Sequence, residues 1–269
     1  MATPYFLNSP IDRKDMVKVL GQREFREICD LVYRECGISL NETKKKLVES
    51  RLSKRLRASG INSVSKYLRL IQRDEREKIS FIDTISTNHT YFFRECGHFE
   101  YLEANHLSIW SAACSSGEEP YSIAIYCLEK GFRPTIYATD ISTQVLETAG
   151  KGIYPMEKAR ALSTTLLKRY FDKGVGRWDG YIRVKNDVRK MVSFSRFNLI
   201  NDMPANERFD VVFCRNVLIY FDRKVKEQVI SRLYSALRRN GYLIIGGAES
   251  LTGIDHRLKY ISPSIYYKA

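Results

Sequence analysis

The sequence has few cysteines and histidines, and none of them is spaced as metal ligands are. Its six cysteines form no CxxC pair, and its four histidines show no HExxH or Hx3–5H spacing. We therefore expect no metal site. Six scattered cysteines are also too few for a disulfide framework in a chain of 269 residues, so we interpret them as reduced thiols.

Long apolar runs are missing as well. No window approaches the roughly 18 apolar residues of a membrane-spanning helix, and the N-terminal stretch MATPYFLNSPIDRKD has no apolar signal-peptide core. We therefore expect a cytoplasmic protein. The apolar fraction of 44% and the charged fraction of 28% are those of a globular protein, and the length suits two domains.

Acidic residues are the minority among the charged ones. The chain has 44 basic and 31 acidic residues, a formal net charge of +13. Residues 1–86 carry a net charge of +6, and the segment 44–57 alone also carries +6, from seven basic residues and one acidic residue. Such an excess indicates an acidic partner, which can be nucleic acid, anionic lipid or an acidic protein surface.

The spacing of apolar residues divides the chain in two. From Gln22 to about Ser86 the apolar residues recur with the helical period, which predicts an all-helical domain over 1–86. No strand is expected before about Leu107. Beyond it, the runs LSIWSAAC, PTIYATD, KMVSFSRFNL, FDVVFC and GYLIIGGAES predict buried strands, with helices at Pro120–Lys130, Ser142–Ala149 and Arg223–Arg239.

Strands that alternate with helices predict an α/β fold with a parallel sheet over 87–269. Two segments depart from this alternation. The stretch from Phe171 to Val188 is expected to form a hairpin that projects as a small antiparallel β insertion, with limits at about 171–192. The C-terminal runs RLKYI and SIYYKA predict a second hairpin.

Small residues in IWSAACSSGEEPYSIAI mark the turn from a strand into a helix, the usual cofactor position of an open α/β sheet. Ser116 and Glu119 fit a capping box, with Pro120 in the first helical turn. The motif GxGxxG is absent, which disfavours a pyrophosphate cofactor. Glu118 either caps the helix or holds a cationic amine. Asp140 ends the next strand, where an acid either binds ribose hydroxyls or caps a helix.

Six motifs together resemble the chemotaxis receptor methyltransferase family: STNHTYFFRE, IWSAACSSGEEPYS, ATDIS, FNL, FDVVFCRNVLIYFD and GYLIIGGAESL. They run in this order from Ser86 to Leu251, and the resemblance covers nearly the whole chain. It implies a Rossmann-like class I methyltransferase domain that binds S-adenosylmethionine, releases S-adenosylhomocysteine and needs no metal. The implied activity is the formation of γ-glutamyl methyl esters on bacterial chemoreceptors.

The resemblance also implies site residues. Glu118 is assigned to the methionine amine of the cofactor and Asp140 to the ribose, while Arg94 and Tyr220 face the transferred methyl group as catalytic residues. Arg215 can instead pair with a structural carboxylate. The full implied cofactor set is Asn88, Thr90, Arg94, Glu118, Asp140, Asn198, Leu199, Arg215 and Asn216.

A glutamate substrate is already ionised at neutral pH, so its attack on a sulfonium methyl needs no general base. We found no suitable histidine or acid among the motifs. Arg94 and Tyr220 are therefore expected to orient the reacting groups rather than to carry protons.

Two segments are candidates for receptor binding. The basic helix expected at about 43–58 is either a solvated face or, as the resemblance implies, a surface for the cytoplasmic methylation region of a receptor, through Lys44, Arg51, Lys54 and Arg55. The β insertion, with its short glycine loop, is similar to that of members that bind a receptor's C-terminal WxxF-type pentapeptide by strand addition. Trp178 can instead simply cover the hairpin. Contact with the membrane is expected only through receptors.

The sequence is also compatible with two rival functions. A nucleic-acid methyltransferase would suit the basic charge, but CRNVLIYF stands where amino-methylating DNA enzymes have [DNS]PP[YFW], and no aromatic platform for single strands is evident. We therefore expect no nucleic-acid partner. The second rival is a non-catalytic module that binds cofactor or receptor.

Overall fold

The computed structural model describes residues 20–86, 88–102, 107–203 and 208–269. The all-helical character predicted from Gln22 to about Ser86 is confirmed, and residues 1–19 of the predicted 1–86 domain lie outside the described residues. Its helices are α1 (Gln22–Cys36), α2 (Lys45–Ser59), α3 (Val64–Ile71) and α4 (Glu75–Ile85). They share one apolar core, in which Tyr67 is fully buried.

A mixed seven-stranded sheet forms the centre of the rest of the chain, built from β1 (Ser108–Ala112), β2 (Thr135–Asp140), β6 (Val192–Arg196), β7 (Phe209–Cys214), β8 (Leu237–Ile245), β9 (Lys259–Ser262) and β10 (Ile265–Tyr267). The strand order is β6-β2-β1-β7-β8-β10-β9. The first five strands of this order run parallel, as predicted, and the predicted C-terminal hairpin adds β10 and β9 in antiparallel orientation.

Three helices pack on the sheet: α5 (Glu118–Glu129), α6 (Thr143–Lys151) and α9 (Arg223–Ala236). The short helix α7 (Thr164–Tyr170) contacts the β insertion, and α8 (Asn186–Arg189) contacts α5. The predicted extension of α9 to Arg239 is wrong. Leu237 is fully buried and already belongs to β8, opposite Phe209. Burial of this side chain on the sheet outweighs the helical pattern of the exposed arginines that follow.

The predicted hairpin of the β insertion is present, but the insertion is larger than expected at one end. Strands β4 (Phe171–Lys173) and β5 (Tyr181–Val184) pair antiparallel, and β3 (Ile153–Pro155) joins the other side of β5. Three residues are too few to show alternation in the sequence. The expected limits of 171–192 are wrong at both ends. The small sheet already includes β3 at Ile153–Pro155, and Val192 begins β6 of the main sheet.

None of the helices in the described part of the chain combines the length and the apolar character needed to cross a membrane.

Candidate functional site

The strand order reverses at β1, which lies between β2 and β7. Ligands of open α/β sheets bind outside the carboxyl ends of the strands at such a switch point. Here the turn after β1, the end of β2 and the loop after β7 surround a cavity of about 1000 Å³, including its open mouth. Cys36 and Ile38 of the helical region close its other side.

The structure brings most of the sequence-predicted site residues together. Eight of the nine expected cofactor residues line the cavity, and so does the expected catalytic Tyr220. These lining residues are Asn88, Thr90, Arg94, Asp140, Asn198, Leu199, Arg215, Asn216 and Tyr220.

Asp140 is buried at the end of β2. Its carboxylate accepts the backbone N–H of Ser115 at 2.8 Å and that of Ser142 at 2.9 Å. Burial raises the pKa of this carboxyl, although the backbone donors oppose that rise. The alternative role as a helix cap is wrong, because the Ser142 hydroxyl caps α6. The carboxylate lines the cavity, where it can accept a hydrogen bond from a ligand.

Glu118 is the expected cofactor residue that does not line the cavity. It is fully buried, accepts a hydrogen bond from Ser116 Oγ at 2.7 Å, and lies 3.1 Å from Nζ of Lys158. Its neighbour Glu119 lines the cavity instead and accepts a hydrogen bond from Ser111 Oγ at 2.8 Å. Burial raises the pKa of Glu119.

Successive helical residues point about 100° apart, so the sequence alone could not decide between the two acids of GEEP. The expected capping box of Ser116 and Glu119 is also wrong, because Ser116 is not the N-cap of the helix. Gly117, at φ +92°, is the N-cap of α5, and Glu119 turns away from the helix end towards Ser111.

The loop after β7 is held by Glu249, which sequence reasoning missed. Its carboxylate accepts the backbone N–H groups of Asn216 at 2.9 Å, Gly246 at 2.6 Å and Ile219 at 3.2 Å. A Cβ on Gly246 would lie 2.5 Å from Nδ2 of Asn216 and 2.9 Å from Oε2 of Glu249. The glycine pair shortly before the acid in GGAES was the available signal.

Arg94 and Arg215 are tied to each other and to Glu95. Nη2 of Arg215 donates to the Arg94 carbonyl oxygen at 2.5 Å and lies 3.4 Å from Glu95. Glu95 also accepts the backbone N–H of Gly247 at 2.9 Å. Burial opposes the ionisation of Glu95, but Gly247, Arg215 and Asn216 outweigh it and lower the pKa of this carboxyl. Nη1 of Arg215 also lies 3.6 Å from Glu119, so this arginine pairs with two carboxylates and lines the cavity as well.

Strained backbone is concentrated at this site. Non-glycine residues rarely adopt a positive φ, and they do so mainly where the surrounding structure imposes it, as at functional sites. Such residues lie on the cavity wall or beside Arg94: Phe93, Glu95, Ala113, Ser115 and Asn216.

The helical region holds two cavity residues in place. Nδ2 of Asn198 donates to the Glu35 carbonyl oxygen at 2.6 Å. The backbone N–H of Ser39 donates to the Tyr220 carbonyl oxygen at 2.9 Å. Positioning of Tyr220 therefore depends on both parts of the chain.

Two cysteines line the cavity, and burial keeps both protonated. It raises the pKa of Cys36 to about 12 and that of Cys114 well above its usual value. Thiolate nucleophiles are therefore not available here. Within the described ranges, no group of three or more histidine, cysteine or acidic side chains could hold a metal ion.

The predicted docking residues of α2 do not form one exposed stripe. Arg55 makes a bidentate ion pair with Glu77, at 2.7 and 2.6 Å, and Arg51 donates to the carbonyl oxygens of Ile85 and Ser86. These two arginines stabilise the helical region and are half-buried rather than freely exposed, and their contact with a receptor stays a prediction. Of the predicted set, Lys44 and Lys54 are exposed.

A different set of cations faces outward from α2. Lys46, Lys54 and Arg57 are exposed, and at 100° per residue they fall within about 80° of one another. We call these three residues the α2 basic stripe.

Comparisons with known proteins agree with this architecture. The family model described as "CheR methyltransferase, all-alpha domain" matches residues 23–86, and "CheR methyltransferase, SAM binding domain" matches residues 88–267. The chemotaxis protein methyltransferase of Borreliella burgdorferi is 39% identical, over 91% of this chain and 94% of its own length. That of Salmonella typhimurium is 37% identical (92% and 90%), and that of Escherichia coli 36% (92% and 91%). The chain therefore belongs to the CheR family and is an S-adenosylmethionine-dependent methyltransferase of chemotaxis.

Proposed function

We propose that this protein methylates glutamate side chains in the cytoplasmic methylation region of chemoreceptors. The observation that supports this substrate is the composition of one cavity. Two acids, the buried Asp140 and the half-buried Glu119, line the same cavity as Arg94, Arg215 and Tyr220. A cationic methyl donor suits the acids, and an anionic acceptor suits the arginines.

The cavity residues fit S-adenosylmethionine. Asp140 would present its carboxylate to the ribose hydroxyls, and Glu119 would offer one to the amine of the methionine part. Ser115 Oγ is buried without a hydrogen-bond partner among the described residues, so it can pair with a polar ligand group. Asn198 and Leu199 would flank the adenine.

The bound cofactor supplies a methyl group on a sulfonium centre. Arg94 would hold the non-attacking oxygen of the glutamate carboxylate, and Tyr220 would orient the attacking one. Opposite charges neutralise each other as the ester forms, so exclusion of water by the walls lowers the barrier relative to bulk water. Alignment of the two reactants supplies most of the remaining acceleration.

The substrate assignment is tested by incubating the protein with methyl-labelled cofactor and, in parallel, chemoreceptor-containing membranes, DNA and RNA. Label on a receptor band that mild alkali releases as volatile methanol identifies a glutamyl methyl ester. Label on nucleic acid would instead establish the nucleic-acid rival. Cofactor binding without any transfer would establish the binding module.

The pH dependence of the rate tests the orienting roles. His89 lies in the TNHT motif and the structure places it, exposed, on the cavity wall, so it is the histidine to examine. We expect Tyr220→Phe and Arg94→Ala to lower the rate by about tenfold or more without changing the shape of the pH–rate profile. We expect His89→Gln to keep that shape too. A step in the pH–rate profile that disappears in His89→Gln would make this residue a general base.

The α2 basic stripe is proposed to bind the acidic receptor surface. We expect the triple variant Lys46→Glu, Lys54→Glu, Arg57→Glu to lower kcat/KM for receptors by about tenfold at low salt, since unlike charges steer the encounter. Cofactor affinity should not change. The control triple Lys66→Glu, Arg69→Glu, Arg73→Glu alters net charge equally at exposed positions on and after α3. Equal losses in both triples would refute a specific stripe.

The β insertion is proposed to bind a WxxF-ended receptor pentapeptide. The order β3-β5-β4 leaves β4 as an edge strand, beside a groove lined by Leu167, Phe171 and Ile182. Strand addition needs such an edge together with side-chain pockets. Calorimetric titration should show binding that Leu167→Asp abolishes and that Ile261→Asp, on the distant strand β9, preserves. Absence of binding to the unaltered protein would remove the tether.

A further inference from the structure

We propose that Lys158, on the β insertion, is a positioning residue for the cofactor cavity. This inference rests on the proposed function, because it concerns how the same site is held. Lys158 lies in the short turn Met156–Ala159 that follows β3. Its Nζ donates to the Thr90 carbonyl oxygen at 2.8 Å and lies 3.1 Å from Oε1 of Glu118. One ammonium group thus connects the insertion to two separate segments.

Both segments contribute to the cavity. Thr90 lines it directly and belongs to the stretch that also supplies Asn88 and Arg94. Glu118 is the first residue of α5 and directly follows the turn whose Ser115 lines the cavity. A shift of Lys158 would therefore move two walls relative to each other.

The ammonium group of Lys158 compensates the buried carboxylate of Glu118. No part of Glu118 is exposed, and a buried carboxylate is costly unless a cation or donors compensate it. Ser116 Oγ donates to one of its oxygens at 2.7 Å. The other oxygen has the Lys158 ion pair but no hydrogen bond from the described residues. Lys158 donates its hydrogen bond to Thr90 and forms its ion pair with Glu118. The first contact positions a cavity wall, and the second compensates a buried charge, so variants can test the two roles separately.

Aromatic side chains reinforce the same two connections. The hydroxyl of Tyr154, on β3, donates to the Ser116 carbonyl oxygen at 2.7 Å. The Phe92 ring, next but one to Thr90, meets the rings of Tyr154 and Phe171 edge-on, with centroids 5.0 and 5.2 Å apart. The insertion is therefore packed against the cavity walls, and its polar contact at Lys158 can set their spacing.

The test compares binding of S-adenosylhomocysteine by calorimetry, without receptor, in Lys158 variants. Lys158→Met should raise the Kd about tenfold, the effect of losing a hydrogen bond from a charged donor. Lys158→Arg keeps the charge and the donor and should restore most of the affinity. The control Lys151→Met breaks the exposed Lys151–Glu147 pair, 2.6 Å apart, and should bind as the unaltered protein does.

A double variant separates positioning from folding. Lys158→Met alone leaves the buried Glu118 carboxylate without its cation, so its melting temperature should fall. Adding Glu118→Gln removes that carboxylate, so the melting temperature should recover while the Kd stays high. Recovery of both would show that Lys158 only neutralises Glu118, and an unchanged Kd in Lys158→Met would also overturn the inference. If the unaltered protein binds S-adenosylhomocysteine but does not methylate receptors, the proposed substrate fails and the Lys158 comparison stands.

Discussion

Replacement of Asp140 by asparagine is expected to weaken S-adenosylmethionine binding by about 100-fold or more. A hydrogen bond to an ionised acceptor contributes about 1.5–3 kcal/mol, and two ribose hydroxyls would lose theirs. The amide also cannot replace the carboxylate locally. Its NH₂ group would face the backbone N–H of either Ser115 or Ser142, both of which now donate to Asp140. Calorimetric titration with the cofactor measures the loss directly.

Asp210→Asn is a matched control for this substitution. Asp210 also accepts a backbone N–H, from Ser108 at 2.8 Å, but at the opposite end of β1. It also pairs with Arg238 at 2.7 Å. We expect the control to bind cofactor within about twofold of the unaltered protein, as substitutions remote from a site usually do. Equal loss in both variants would mean that Asp140 acts through the stability of the sheet.

The same carboxyl gives the binding a defined pH dependence. Because burial raises the pKa of Asp140, and also that of Glu119, these groups take up protons at a higher pH than free side chains do. Cofactor affinity should therefore fall as the pH is lowered through these raised pKa values. Above them both carboxylates are ionised, and the affinity should reach its maximum. The free energy of unfolding responds to pH with the opposite sign, because protonation removes the cost of a buried charge. Each acid therefore stabilises the fold most below the pKa of its unfolded form, and this contribution is lost as the pH rises through the raised folded pKa. In Asp140→Asn the remaining dependence should come from Glu119 alone.

The sequence predicted the position of Asp140 because strand ends can be located from apolar runs and turn residues. It could not resolve features that depend on side-chain direction. Glu118 and Glu119 are adjacent in GEEP, yet one faces Lys158 and the other the cavity. Arg51 lies next to the apolar face of α2 and donates a hydrogen bond to the Ser86 carbonyl oxygen at the end of α4. The periodicity of the sequence does not show this contact. Strand β3 is too short to leave a pattern.

Residues that act on the backbone of a distant segment are the hardest to find by motif. Glu249 is separated from Asn216 by 33 positions, and the contact arises only because β7 and β8 are parallel neighbours. Asn198 likewise reaches Glu35 across 163 positions. These contacts hold the site but have no spacing rule, so the three-dimensional arrangement is needed to find them.

Replacement of Glu249 by alanine is expected to damage both stability and activity. Three backbone N–H groups lose their acceptor, and an unsatisfied buried donor costs about 1–3 kcal/mol, so the free energy of unfolding should fall by about 3 kcal/mol or more. Asn216, at φ +58°, would lose the contact that opposes its backbone strain. Denaturant unfolding and the methylation rate would measure the two effects separately.

Two further variants show whether the loop after β7 is the part affected. Gly246→Ala leaves the carboxylate intact but places a Cβ 2.5 Å from Nδ2 of Asn216, so it should lower the methylation rate in the same way. Glu227→Ala removes a carboxylate from the exposed ion pair with Arg223, 2.9 Å long, and should change little. Normal activity in Glu249→Ala would show that β7 and the Arg94–Arg215 contact hold the loop alone. Lost activity with normal stability would instead show that the three N–H groups find water once the carboxylate is gone, and that Glu249 serves the geometry of Asn216 and Tyr220 rather than the fold.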